Sequence, residues 1–326
     1  MKILVRLPNW LGDLVMSAAF IQQLQKLYPA AEISVIIKKE LENLLAFFPA
    51  FKNKFTFSKQ ASPGLGGAWR FGKTINEQEK FDMYFSLPDS FSSALMGYAT
   101  GSKKRIGYKK ELRSFLLTNA YTKNKNRHRA DQYMELLHLF SGMKTEPASI
   151  NFETLSQQKT NIIININSEA SSRRLPMEKA IRIIEAVRKN TGEKIHLIGS
   201  KMDMKFVNDV YGALPDKTNI INIAGTTSLI ELAIVMASAK VMLTTDSGPA
   251  HLANALGIYT IVLFGAGNEN ITAPFNQNKT IIRLGELSCE PCEDNTCRRY
   301  GIPKCLTLLD EERITTEVLK HTANEL

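Results

Sequence analysis

Short apolar runs alternate with helical patterns along nearly the whole chain. Residues 3–7 read as a first strand, and residues 14–28 place Leu14, Ala18, Ile21 and Leu24 on one helical face. Further strands are expected at 33–37, 83–87 and 105–108, with helices at 41–48, 90–98 and 131–140. The pattern pauses over the polar residues 141–160, which read as a linker. A second series follows: strands at 162–166, 195–198 and 220–224, and helices at 177–189, 203–211 and 228–239. It leads into VMLTTDSGPAHLANALGIYTIVLFG at 241–265, which reads as strand, polar turn, helix and strand. Repeated β-α units predict parallel sheets covered by helices on both faces. The expectation is an α/β fold of two Rossmann-like domains, residues 1–155 and 156–310, facing a cleft, with a final segment at 311–326.

In such folds ligands bind beyond the carboxyl ends of the strands, where this chain concentrates its polar residues. In the turn at 246–249, Asp246 or Ser247 can cap the following helix. Pro249 suits its first turn, and Gly248 admits a ligand close to the backbone. Such a helix start favours an anion, and His251 falls in the same turn. The first strand ends in Pro8-Asn9-Trp10-Leu11-Gly12-Asp13, where Asp13 reads either as a helix-terminal acid complementing the dipole or as a general base. After the strand at 162–166 come Ser168, Glu169, Ala170, Ser171, Ser172, Arg173 and Arg174, and the adjacent arginines suit a phosphate clamp. Asp203, after the strand at 195–198, fits either a ribose contact or a helix cap.

Charge adds a second feature. The net charge is +9, and residues 1–155 carry all of it, with 22 Lys/Arg against 13 Asp/Glu. Residues 103–129 alone hold ten basic residues and one acid, Glu111. This run reads as a solvated surface or as a docking face for an anion, with Lys103, Lys104, Arg105, Lys109, Lys110 and Arg113 as its candidates. Sparse aromatic residues and the lack of a nucleic-acid motif favour a charged lipid over nucleic acid. The N-terminus has only about five apolar residues after one Lys, too few for a signal peptide, so a cytoplasmic protein is expected.

Neither G-x-G-x-x-G nor a Walker motif occurs, which disfavours nicotinamide chemistry and P-loop phosphotransfer. The four cysteines, Cys289, Cys292, Cys297 and Cys305, cluster near the C-terminus, with reduced thiols, a bound metal and disulfides all open.

With these residues assembled, the chain resembles glycosyltransferase family 9, the heptosyltransferases of lipopolysaccharide core synthesis, nearest its type II branch. The resemblance covers nearly the full length. It rests on LPNWLGDLVMS, SSRRLP, LIGSKMD and NIAGTTSLIELAIVMASAKVMLTTDSGPAHLANALG. It implies a GT-B fold whose last helix packs back toward the first domain, and an inverting transfer needing neither metal nor cofactor, with ADP-heptose as donor. Asp13 matches the family's catalytic aspartate, and Arg173 stands where the family commonly has a lysine near the donor diphosphate. Asp203 matches a ribose-holding acid, Thr227 lies near the adenine pocket, and Asp246, Ser247 and Gly248 match the sugar- and diphosphate-binding turn. Trp10, Gly12, Ser168, Arg174 and His251 complete the expected binding set. The implied partners are a nucleotide-sugar donor, a phosphorylated lipid acceptor and the inner face of the cytoplasmic membrane. The alternatives are an enzyme acting on another nucleotide sugar, an epimerase among them, and a non-catalytic module that binds anionic lipid.

Overall fold

The alternation resolves into two six-stranded parallel sheets, one in each of two units, Met1–Ile150 and Asn151–Leu326. The computed structural model describes residues 1–146, 148–153 and 157–322, so the boundary expected at 155 lies outside the described residues. The first sheet contains β1 (Lys2–Arg6), β2 (Glu32–Lys38), β3 (Lys54–Phe57), β4 (Met83–Ser86), β5 (Lys104–Tyr108) and β6 (Asn119–Tyr121), in the order β3-β2-β1-β4-β5-β6. The second contains β7 (Asn161–Asn165), β8 (Lys194–Leu197), β9 (Ile220–Asn222), β10 (Ala239–Thr245), β11 (Tyr259–Phe264) and β12 (Lys279–Arg283), in the order β12-β11-β10-β7-β8-β9. Counted from its own first strand, each sheet has the same order. Its direction of travel reverses between β1 and β4 in one sheet and between β7 and β10 in the other.

The central strands are apolar because helices cover both faces. Ile3, Leu4 and Val5 of β1 are fully buried, in register with Ile33–Val35 on one side and Met83–Phe85 on the other. In the second unit Ile162, Ile164, Val241, Leu243, Ile261 and Leu263 pack with Ile183, Ile184 and Val187 of the helix Met177–Lys189. Each fully buried side chain of this size contributes about 1.5–3 kcal/mol. The long helix expected at 14–28 is two, Leu11–Met16 and Ala18–Leu27, because the Ser17 hydroxyl donates to Leu14 O at 2.7 Å and interrupts the ladder.

The last helix of the second unit is Glu311–Lys320. Its apolar face, Ile314 and Val318, is spent on the core of the second unit. Its Glu311 pairs with Lys179 at 2.9 Å and Arg182 at 2.7 Å, and Thr280 donates to Glu317 at 2.7 Å. Among the described residues no helix is long and apolar enough to cross a membrane.

Candidate active site

The point of reversal in the first sheet carries a charge cluster. Asp13 sits in the first turn of helix Leu11–Met16, where it could have complemented the helix dipole alone. Instead its Oδ1 faces Arg129 Nε at 3.8 Å, from the start of helix Arg129–Ser141. Burial pushes the Asp13 carboxyl above its ordinary value, Arg129 and Lys123 pull it down, and Asp89 pushes it up. Asp89 follows β4, on the other side of the reversal, and pairs with Lys123 and, at 3.5 Å, with Arg113. Burial in turn lowers Lys123, whose ammonium also stands 5.0 Å from the Tyr108 ring centroid. A half-buried carboxylate with a raised proton affinity has the property a general base near neutral pH requires. Trp10 precedes the helix with more than half its surface exposed, and Lys38 lies over its ring at 6.0 Å. Gly12 is buried within the helix.

The reversal in the second sheet carries the other expected residues. Asp246 follows β10, is 5% exposed, and meets Arg173 Nη1 at 3.3 Å. Burial raises its carboxyl from 3.8 to about 6; Arg173 and Arg283 oppose that rise and Glu269 adds to it. Asn165, at the end of β7, ties the reversal together by donating to Ser247 Oγ at 2.8 Å and Thr244 Oγ1 at 3.0 Å. Ser168 is buried and donates to Asp246 O at 3.2 Å.

Ser247 occupies the cap position of helix Gly248–Ala255, yet its hydroxyl does not cap it; it donates to Thr245 O at 3.1 Å. Pro249 lacks an N–H, and that of Ala250 goes to Ser247 O at 3.2 Å. Of the helix's first three residues this leaves the Gly248 N–H for a ligand, with Arg173 the cation nearest Asp246. His251 is buried in the same helix.

Arg174 meets Asp203 at 3.3 Å, and the Asp203 carboxylate accepts from Ser200 N at 3.0 Å and Ser200 Oγ at 2.6 Å, rather than capping the helix that follows. Thr227 is half-buried, just before the helix Leu229–Ala237, which Ser228 and Glu231 cap reciprocally.

Two sheets of this order, each with polar side chains at the reversal, characterise many nucleotide-dependent enzymes, and sequence comparison selects among them. The profile described as glycosyltransferase family 9 (heptosyltransferase) matches residues 68–302. The chain belongs to glycosyltransferase family 9. It is 30% identical to lipooligosaccharide heptosyltransferase 2 of Haemophilus influenzae, over 88% of this chain and 90% of that protein. It is 27% identical to lipopolysaccharide heptosyltransferase 2 of Escherichia coli, over 87% and 88%. The solved structure of E. coli ADP-heptose lps heptosyltransferase II superposes with a TM-score of 0.83 at 25% identity, covering 99% of this chain and all of that one. A family 9 glycosyl transferase from Veillonella parvula, 20% identical with a TM-score of 0.84 over 98% and 96%, shares the fold.

In this family 9 glycosyltransferase the basic segment is divided between the two ends of a strand. Lys103 and Lys104 stand at the start of β5 and Lys109 and Lys110 just beyond its end, ~16 Å apart for five strand residues. Lys103 pairs with Asp82 at 3.2 Å, and Lys104 lies over the Phe140 ring. Arg113, expected on the surface, is 1% exposed; it donates to Ser86 Oγ and Pro88 O, both at 2.9 Å. Part of the positive charge is therefore turned inward, onto Asp89 and Asp13. Sequence reasoning counted Lys123 and Arg129 in the basic run without assigning them to Asp13, and missed Asp89, Asn165, Arg283 and Glu269. Only the placement of Asp89 directly after a predicted strand could have flagged it.

Proposed function

We propose that the enzyme transfers a heptose from ADP-heptose to an inner-core lipopolysaccharide acceptor, with inversion at the anomeric carbon and without a metal at the reacting centre. Inversion needs a base for the acceptor hydroxyl on one side of that carbon and stabilisation of the departing diphosphate on the other. Asp13 is the base in this reading, its proton affinity raised by burial, held back by Arg129 and Lys123 and raised further by Asp89. Arg173 and the Gly248 N–H receive the developing charge, Asp246 holds the sugar, and Asp203 the ribose. The observation that carries the reading is the Asp13 carboxylate, raised by burial yet held beside a cation. Asp13→Asn is expected to lower transfer about 10²–10⁴-fold while leaving ADP binding intact. Equal release of ADP by both proteins would remove Asp13 from the base role. Thermal stabilisation by UDP or GDP but not ADP would overturn the donor, and stimulation by added Mg²⁺ or Mn²⁺ would overturn metal independence.

The acceptor side favours a cytoplasmic enzyme working peripherally at the inner face of the cytoplasmic membrane. Phe91 and Tyr98 on helix Phe91–Ala99, and Leu112 and Phe115 on the adjoining turn, are exposed, Phe115 by 85%. Arg105 lies over the Tyr98 ring at 5.2 Å, and Lys109 and Lys110 flank the turn. Such an apolar, basic face suits an anionic bilayer surface. Co-sedimentation with phosphatidylglycerol but not phosphatidylcholine vesicles, weakened by Phe115→Ser, is expected; binding indifferent to both changes would refute the docking face.

A further inference from the structure

All four cysteines of the chain line one small cavity, of about 20 Å³, room for a single water-sized atom. All four are free thiols, and Cys305 is buried against Gly265. Glu290 lines the same cavity with its side chain buried; its Oε2 accepts from Gly285 N–H at 2.7 Å and faces Arg283 Nη1 at 3.7 Å, and its Oε1 has no hydrogen-bond partner. Four soft donors around one small cavity suit a cation. We propose that Cys289, Cys292, Cys297 and Cys305 bind one divalent ion of the zinc class as thiolates, each releasing its proton to solvent. Among the described residues no three such groups already stand in coordinating geometry, so loading draws the thiols inward around the ion.

The position of the cluster gives the ion a task. The intervening loop accepts Ser172 N–H on Asn295 O at 3.2 Å and Ser171 Oγ on the same oxygen at 3.3 Å, in the segment that leads to Arg173. From its other side Glu293 N–H donates to Ala266 O at 2.8 Å, beyond the end of β11. The ion would thus brace the Arg173 loop and the residues packed on Asp246 from one point. The ion itself rests only on the cysteine cluster; its effect on donor binding rests on the function proposed above.

The test uses the whole protein, purified in reductant without chelator or metal-affinity steps. About one zinc or iron per chain is expected, released as a mercurial titrates the thiols, and lost in Cys292→Ser/Cys297→Ser. Exchange with Co²⁺ should give intense sulfur-to-cobalt absorption in the near ultraviolet, a readout that holds even where the double variant folds poorly. Four freely titrating thiols with metal well below one equivalent would overturn the site, as would a disulfide under reductant or an adventitious ion only, removed by dialysis against buffer. A bound ion whose removal leaves the donor KM unchanged would keep the site and refute its bracing of Arg173.

Discussion

Replacing Asp246 by Asn removes a buried charge and keeps the shape. The wild-type carboxyl is raised from 3.8 to about 6, so between those values the native chain holds a proton that the unfolded chain has released, and stability falls as pH rises through that window. Above it the ionised carboxylate costs about 3 kcal/mol relative to the unfolded chain, with little relief from solvent because the residue is 5% exposed. Asp246→Asn abolishes that cost. Urea unfolding should find the variant more stable than wild type by up to about 3 kcal/mol above pH 6, with the gain vanishing toward pH 4. If Asp246 holds the sugar as proposed, transfer should fall in the same variant. A stability difference independent of pH, or a variant less stable at neutral pH, would show that Arg173 and Arg283 outweigh burial and would refute the argument.

Four further variants test the geometry of the two sites. Arg129→Gln removes the nearest cation from Asp13, so the acid limb of the kcat/KM profile should move to higher pH, whereas Asp89→Asn should move it lower. In Gly267→Ala the added Cβ would stand 2.0 Å from Asp246 Oδ2, so the carboxylate must shift; calorimetry should show weakened donor binding, and unchanged affinity would place Asp246 away from the donor. Arg113→Met should destabilise the protein by about 3 kcal/mol or more, measured by urea unfolding, whereas a surface arginine would cost almost nothing.

The central strands were legible because their apolar runs are strongly periodic, and helix Met177–Lys189 was read to the residue. Helix Gly64–Gln78 escaped notice because four of its residues are glycine, a poor helix former. It forms through close packing: a Cβ on Gly72 would stand 2.4 Å from Met96 O. Strands β3, β6 and β12 are edge or near-edge segments of three to five residues, too short for alternation to register. At the sites, strand-end carboxylates were visible but their partners were not. Arg283 is 37 positions from Asp246, and reaches its neighbourhood because β12 pairs with β11 in a register that sets Arg283 beside Phe264. Charge counting failed at Arg113 for a related reason: composition does not distinguish a buried guanidinium from a solvated one.

The shared strand order gives this enzyme two copies of one topological address, fitted with different chemistry. At the first, lysine and arginine tune a carboxylate; at the second, asparagine, serine and arginine surround one. The strands beneath are buried along most of their length and leave little latitude for change. Divergence, natural or engineered, is therefore freest in the loops: on the function proposed above, grafting the segment 166–176 with the turn 245–249 onto an unaltered sheet is the natural unit for changing the donor.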